Sequence, residues 1–479
     1  MIRFSLVPSV LAFAATIAAQ GPVLPVIPFA ATQDLLVVDS SNDCVWRLSD
    51  FSQEGNYNGA NEVLLFYSDI GNIALTNPTC IVVAPNGRAY VADSTEDKIL
   101  ELVDLDWDGA ANSPGEFNVF FDSATNASGI TMASAQGITV DYLGRLFVAN
   151  SNAGTSGIDQ ILVLQDLNGD GDANDVGEAY DYCTIPGGSG AVGNSIPTKV
   201  IVGPDFNVYY TDVASSGSVV KGVYRLADLN GNGNCNDPGE QSLYWTPTAA
   251  SSPFYWSLAV DTVGNFYVTD HSANYTIWRG RDLDGNGTID AGTEDQVFYS
   301  TTATGGSTWW DIVVRDDGWI LVLDAKTHDR VTALKDLNGD GDATDPGESF
   351  DAYDELIGAS NVQVRGAAFQ RAPLQEVVPT TVALGSTTTV TVATPKPGDL
   401  ALVVISPAVI PPISLPPLGF VRVDPNFVPL YLGLANASSQ VVYPLAVPAT
   451  AAIGTYGLQS LAGDFFRLYL TNANTLTTF

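Results

Sequence analysis

Six thirteen-residue segments of this 479-residue chain carry side-chain oxygens at a spacing suited to a hard cation. They read DLNGDGDANDVGE from Asp166, DLNGDGDATDPGE from Asp336, DLDGNGTIDAGTE from Asp282, DLDWDGAANSPGE from Asp104, DLNGNGNCNDPGE from Asp228 and DFSQEGNYNGANE from Asp50. Positions 1, 3 and 5 supply donors: Asp104, Asp106 and Asp108; Asp166, Asn168 and Asp170; Asp228, Asn230 and Asn232; Asp282, Asp284 and Asn286; Asp336, Asn338 and Asp340. Asp172 and Asp342 join them at position 7, where the backbone carbonyl is a further donor. Position 6 is glycine throughout, and position 13 is always glutamate: Glu62, Glu116, Glu178, Glu240, Glu294 and Glu348. Calcium takes six to eight oxygens at about 2.3–2.6 Å, and a glycine permits the sharp turn that aims them inward. Position 9 (Asn58, Asn112, Asn174, Asn236, Asp290, Thr344) is expected to bind directly or through water. The segment from Asp50 has the poorest donor set, with Ser52 and Glu54 in place of better ligands. Of the 53 acidic residues, 24 fall in these segments, and so dense a cluster of like charge destabilises an empty loop. Turn chemistry explains single Asn-Gly or Asp-Gly pairs. It does not explain a fixed register ending in glutamate. Several structural calcium ions are the expected ligands, ahead of magnesium, which demands stricter octahedral geometry.

The segments resemble the calcium loops of EF-hand, dockerin and thrombospondin type-3 proteins. They depart from them in placing the glutamate at position 13 rather than 12, so its bidentate role comes from the resemblance alone. Their flanks read as strands rather than helices, so the EF-hand opening switch is not implied.

The elements that must hold these loops repeat with them. First residues of successive loops are spaced 54, 62, 62, 54 and 54 residues apart. Before each loop lies an apolar strand: DLLVVDS, RAYVADS, RLFVANS, NVYYTDV, NFYVTDH and WILVLDA, ending at Asp39, Asp93, Asn150, Asp212, Asp270 and Asp324. This ring of acids and amides reads as turn caps, since such side chains bond nearby backbone amides. A third apolar strand precedes each loop and a short aromatic strand follows it. Four short strands per repeat, six repeats and no helical periodicity predict an all-β six-bladed β-propeller. The first repeat lacks an inner strand, and the segment NVQVRGAAFQ at Asn361–Gln370 is the spare strand that would close the ring.

Residues 34–372, through the YVAD-S pattern, resemble the NHL-repeat and SMP-30-like propellers. Enzymes among them, lactonases and lyases, carry a catalytic metal at the channel mouth, on acids or amides that begin the inner strands. The matching positions here are Thr79, Gln136, Thr198, Trp256 and Trp310; none is a carboxylate, although Asp311 is adjacent. The resemblance therefore implies the architecture more than the activity.

The rest of the chain narrows the function. Residues 1–20, MIRFSLVPSVLAFAATIAAQ, have the form of a cleaved signal peptide, and no later segment is apolar enough to span a membrane as a helix. A net charge of −34 repels nucleic acid and anionic membranes. Cys44, Cys80, Cys183 and Cys235 permit two disulfides in three pairings. His271 at a strand exit is a weak general-base candidate together with Asp270, while His328 reads as a turn residue. The aromatic runs Phe254-Tyr255-Trp256 and Trp309-Trp310 suit a sugar or peptide surface, or blade-to-blade packing. Residues 373–479 are nearly uncharged and break into seven strand-like runs, predicting a β-sandwich like those appended to many secreted bacterial proteins. The expected protein is a secreted, cell-surface or periplasmic calcium-binding propeller that binds a protein or carbohydrate. The alternative is a hydrolase, lactonase or lyase working at the channel mouth near His271, Asp270, Trp256 and Trp310.

Overall fold

The computed structural model describes residues 34–478, except 51–54, 105–108, 152–158, 186–194, 214–219, 249–252, 371–374, 394–399, 424–427, 435–439, 464–467 and shorter stretches of one to three residues between elements. The signal segment and the loop residues Ser52, Glu54, Asp106 and Asp108 lie outside the described residues.

Six antiparallel four-stranded sheets form the propeller. In blades two to six the strands follow chain order from an inner strand outward. The inner strands are Pro78–Val83, Ala135–Val140, Pro197–Val202, Tyr255–Val260 and Trp309–Val314. Blade one is closed as the spare strand predicted: Val364–Gln370 pairs antiparallel with Asp34–Asp39 and supplies its inner strand. Each inner strand packs against the next, and Val364–Gln370 packs on both Trp309–Val314 and Pro78–Val83, so the ring is complete.

The burial follows from sheet position. A second strand has a sheet neighbour on either side and a blade on either face. Runs such as AYVAD at Ala89–Asp93 and ILVLD at Ile320–Asp324 are therefore buried at every residue. Outermost strands such as Asp295–Ser300 are partly exposed. The acids ending the second strands are wholly buried and act as caps. Asp93, for example, accepts the N–H groups of Thr76, Asn77, Thr95 and Glu96, tying the turn before the inner strand to the turn after the second.

Each inner strand carries a β-bulge near its start, where one extra residue opposes the second strand. The unpaired residues are Thr79, Gln136, Thr198, Trp256 (with Ser257), Trp310 and Arg365. A bulge re-aims its side chain, and these six converge on the channel. Two glycines just beyond the bulges let neighbouring blades approach. A Cβ at Gly137 would lie 2.8 Å from Lys199 Cα, and one at Gly366 would lie 3.0 Å from Cys80 Cα.

The C-terminal region folds as two facing sheets around one core. A three-stranded sheet joins Gln375–Val378, Thr387–Ala393 and Gln440–Ala446. A five-stranded sheet is built on Leu400–Ser406, Gly454–Gly463 and Leu468–Thr478. Val390, Val403, Val441, Leu458 and Leu476 meet between them. The seven-strand reading missed the short strands Gln375–Val378 and Thr381–Val382 and also Val409–Leu415, whose two prolines read as a break. Among the described residues, Val409–Leu415 pairs in a two-stranded hairpin, with a register shift spanning the prolines.

Candidate functional site

The loop glycines do what the turn requires. At position 6, Gly55, Gly109, Gly171, Gly233, Gly287 and Gly341 all have φ between 82° and 104°. There the N–H of each donates to the position 1 aspartate at 2.9–3.0 Å. Five of the position 13 glutamates, Glu62, Glu116, Glu178, Glu240 and Glu348, are buried, and Glu294 is partly exposed. Glu348 accepts the N–H groups of Leu337, Asn338 and Asp345, and Glu178, Glu240 and Glu294 repeat the pattern. Amides from Asp290 and Leu283 hold the Glu294 carboxyl below the ordinary range. The glutamate is thus first a clamp on the loop backbone, with lone pairs left over for an ion. In two loops the acids converge far enough for one: Asp282, Asp284 and Glu294, and Asp340, Asp342 and Glu348, each bring one oxygen per residue within 4.8 Å of the others. Among the described residues, the loops from Asp166 and Asp228 bring no such triad of acids together. Asp50, Glu62, Asp104 and Glu116 belong to loops that are described only in part.

In three loops position 9 also has a job in the fold. Asn58, Asn174 and Asn236 each use Oδ1 to accept a backbone N–H from the outermost strand of the preceding blade, at Asp354, Asp122 and Thr184. The reason lies one residue earlier. In all six loops the position 8 N–H donates to a carbonyl of that same strand. The pairs are Tyr57 to Ala352, Ala111 to Phe66, Ala173 to Phe120, Cys235 to Tyr182, Ile289 to Tyr244 and Ala343 to Phe298, at 2.7–2.9 Å. All six position 8 residues are buried. The middle of each loop therefore runs beside the free edge of its neighbour and covers it, which removes an unpaired edge. This staple was not foreseen, although an apolar residue or cysteine at position 8 of every polar loop was its signal.

The channel is nearly filled. Between the bulged side chains remains a cavity of about 10 Å³, lined by Thr79, Gln136, Trp256 and Asp311 among others, with room for about one water. Lys199 Nζ lies 2.6 Å from Asp311 Oδ1, and both side chains are almost wholly buried. Ser257 Oγ donates to the same oxygen at 2.7 Å, and the Ala367 N–H to Oδ2 at 3.0 Å. Thr79 Oγ1 donates to the Ala135 carbonyl and Thr198 Oγ1 to that of Tyr255, each reaching the next blade. Gln136 Nε2 donates to Ser134 Oγ. Burial pushes the Cys80 thiol up to about 12, so it is no nucleophile at neutral pH. The disulfides that four cysteines permit are not formed: all four are buried free thiols.

At the mouth where the inner strands begin, the structure gathers aromatic rings around one cation. The Arg365 guanidinium carbon sits 3.5 Å from the Trp310 ring centroid and 5.5 Å from that of Trp256. The His271 ring centroid is 4.7 Å from Trp310, 5.5 Å from Trp256 and 5.8 Å from Phe254. Tyr255 and Trp309 turn the other way and are buried between blades. His271 Nδ1 is 3.1 Å from the Trp309 carbonyl oxygen, and burial lowers its pKa. Asp270, its expected partner, is instead a cap, accepting the N–H groups of Phe254 and Ser272. His328 lies 3.3 Å from Asp354. Beside Arg365 opens a cavity of about 230 Å³, lined by Ser40, Trp310, Ala325, Asp329, Gln363 and Val364.

No protein-family profile matches the sequence. No curated protein matches it either. Solved structures do resemble the fold. One is a streptogramin B lyase (15% identity, 66% of this chain and 86% of that one, TM-score 0.38). Another is the PQQ-bound aldose sugar dehydrogenase of Streptomyces coelicolor (15%, 66% and 87%, 0.39). A third is a protein of unknown function from Bacteroides caccae (12%, 71% and 99%, 0.40). At this distance the likenesses carry no functional argument. Among the described residues no helix is long and apolar enough to cross a membrane.

Proposed function

We propose that this chain is an extracellular binding protein whose ligand docks at the channel mouth, on a ring that calcium in the rim loops holds rigid. One observation carries the reading: the polar groups of the channel are already committed to the fold. Asp311 has both oxygens engaged, the bulged threonines bond across blade seams, and Asp270 caps a turn. What remains at the mouth is aromatic surface, a guanidinium and the polar side chains of Ser40, Asp329 and Gln363 on the adjoining cavity, which are recognition groups. The converging acids of the loops from Asp282 and Asp336 support a hard divalent cation there.

Titrating the calcium-loaded protein with a panel of glycans, peptides and lactones while following tryptophan fluorescence tests this reading. Saturable binding without turnover is the expected result. Turnover that disappears in His271→Ala would overturn it. The enzyme reading has one observation of its own. His271 has its Nδ1 against a carbonyl oxygen and a lowered pKa, so it is a neutral imidazole at neutral pH, as a general base must be.

A further inference from the structure

We propose that Arg365, stacked on Trp310, anchors the carboxylate of a ring-shaped ligand at the channel mouth. This rests on the binding reading above and names the class of ligand.

The chain has 53 acidic residues to 19 basic ones, so a carboxylate partner is the expected fate of any arginine. Arg47, Arg88, Arg145, Arg279 and Arg330 follow it, pairing with Asp34, Glu101, Asp141, Asp336 and Asp324. Arg365 does not. Among the described residues no carboxylate or carbonyl oxygen accepts its N–H groups, and its partners are the two indole faces. The nearest channel acid, Asp311, is saturated by Lys199, Ser257 and the Ala367 amide. The guanidinium is half-buried, and desolvation lowers its pKa to about 10, so it stays charged at neutral pH. The fold therefore holds an uncompensated cation in a place that disfavours one.

Stacking fixes what that cation can do. Contact with Trp310 uses the flat face of the guanidinium and leaves its in-plane N–H groups free. Those groups match a carboxylate in a bidentate, coplanar pair. The adjoining cavity of about 230 Å³ supplies Ser40 and Gln363 for hydroxyl groups and the Trp310 ring as an apolar wall. Asp329 on the cavity wall is a local repulsion. Burial pushes its carboxyl up to about 6, so it takes up a proton more readily than a surface aspartate.

Two pairs of probes test the proposal by calorimetric titration: D-glucuronate against D-glucose, and benzoate against benzamide. At least one acid is expected to bind about tenfold or more tightly than its neutral counterpart. Arg365→Gln is expected to erase that preference while melting at the same or a higher temperature, because it removes an unpaired charge. Equal affinity for acids and neutral counterparts, or a preference that survives Arg365→Gln, overturns the assignment and leaves the binding role standing. Absence of binding by either acid also overturns it. A lower melting temperature in Arg365→Gln with the preference intact would make the arginine structural instead. Conversion of a probe to product, seen by NMR during the titration, would overturn the binding role itself.

Discussion

Lys199 of blade four and Asp311 of blade six meet 2.6 Å apart across the channel, over Ser257 of blade five. With the Ala367 N–H of blade one on its other oxygen, the Asp311 carboxylate links four blades at the centre of the ring. Removing one partner leaves a buried charge without compensation, which costs about 3–5 kcal/mol. Lys199→Met is therefore expected to lower stability by that order, while Lys199→Met combined with Asp311→Leu recovers much of it. Guanidinium denaturation of the two variants checks this, and additive losses would refute it.

Asp329 makes the stability of the protein depend on pH in a direction opposite to most aspartates. Its carboxyl is pushed up to about 6, first by burial and then by Glu355, Asp39 and Asp324, against the pull of the Val364 N–H. The folded state thus holds this proton more tightly than the unfolded chain. The stabilisation is full below the unfolded value of about 3.9 and is lost as pH rises through about 6. Asp329→Asn keeps an oxygen for the Val364 amide and removes the charge. It is expected to stabilise the protein by roughly 1–2 kcal/mol at neutral pH and to match the parent at about pH 4. Denaturant midpoints at both values decide it; a gap of the same size at each would refute this account.

The ring was legible because each of its parts repeats. The second strands and the loops recur in one order, and the bulged positions Thr79, Gln136, Thr198, Trp256 and Trp310 each lie 14 residues before the acid or amide that ends the second strand. The sixth bulged residue, Arg365, was within reach by the same alignment, since Val364-Arg365-Gly366 occupies the place of Pro78-Thr79-Cys80. What the sequence hid was pairing between distant residues. Nothing in PTKVIV says that Lys199 finds Asp311 rather than water. Donor spacing also said nothing of which loop oxygens the backbone would claim. Amide hydrogen bonds to Glu348 come from Leu337, Asn338 and Asp345 of its own loop once it curls, and the acceptance of the Asp354 N–H by Asn58 depends on a neighbouring blade that no local pattern shows.

Two glycine substitutions separate backbone conformation from close packing. Gly177, at position 12 of a rim loop, has φ of 90° and open space where an alanine methyl would sit, with nothing within 4 Å. Gly177→Ala therefore carries only the conformational cost, roughly 1 kcal/mol. Gly137→Ala must push its methyl into Lys199 Cα, the Thr198 carbonyl oxygen and the Val200 nitrogen, all backbone atoms at 2.8–3.1 Å. Overpacking of that kind costs about 1–3 kcal/mol or more, and here it also pries apart the strand that carries Lys199. Gly137→Ala is expected to lose at least twice as much stability as Gly177→Ala; thermal melts ranking them the other way would contradict the close approach of blades three and four.

Chelation should unlock the rim. Position 8 of every loop bonds the outermost strand of the preceding blade, so an ion that orders a loop also orders a seam. Removing calcium with EDTA is expected to lower the melting temperature of the whole propeller, and added calcium to restore it. Each site that takes the ion would contribute about 2.7 kcal/mol at a hundredfold excess over its Kd. The paired variant Asp340→Asn and Asp342→Asn removes two of the three converging acids of the last loop and is expected to lose one such share of the calcium response while keeping the Ala343 contact to Phe298. Melting points that ignore both chelator and calcium would remove the metal from the rim. The 24 loop carboxylates would then need another source of compensation.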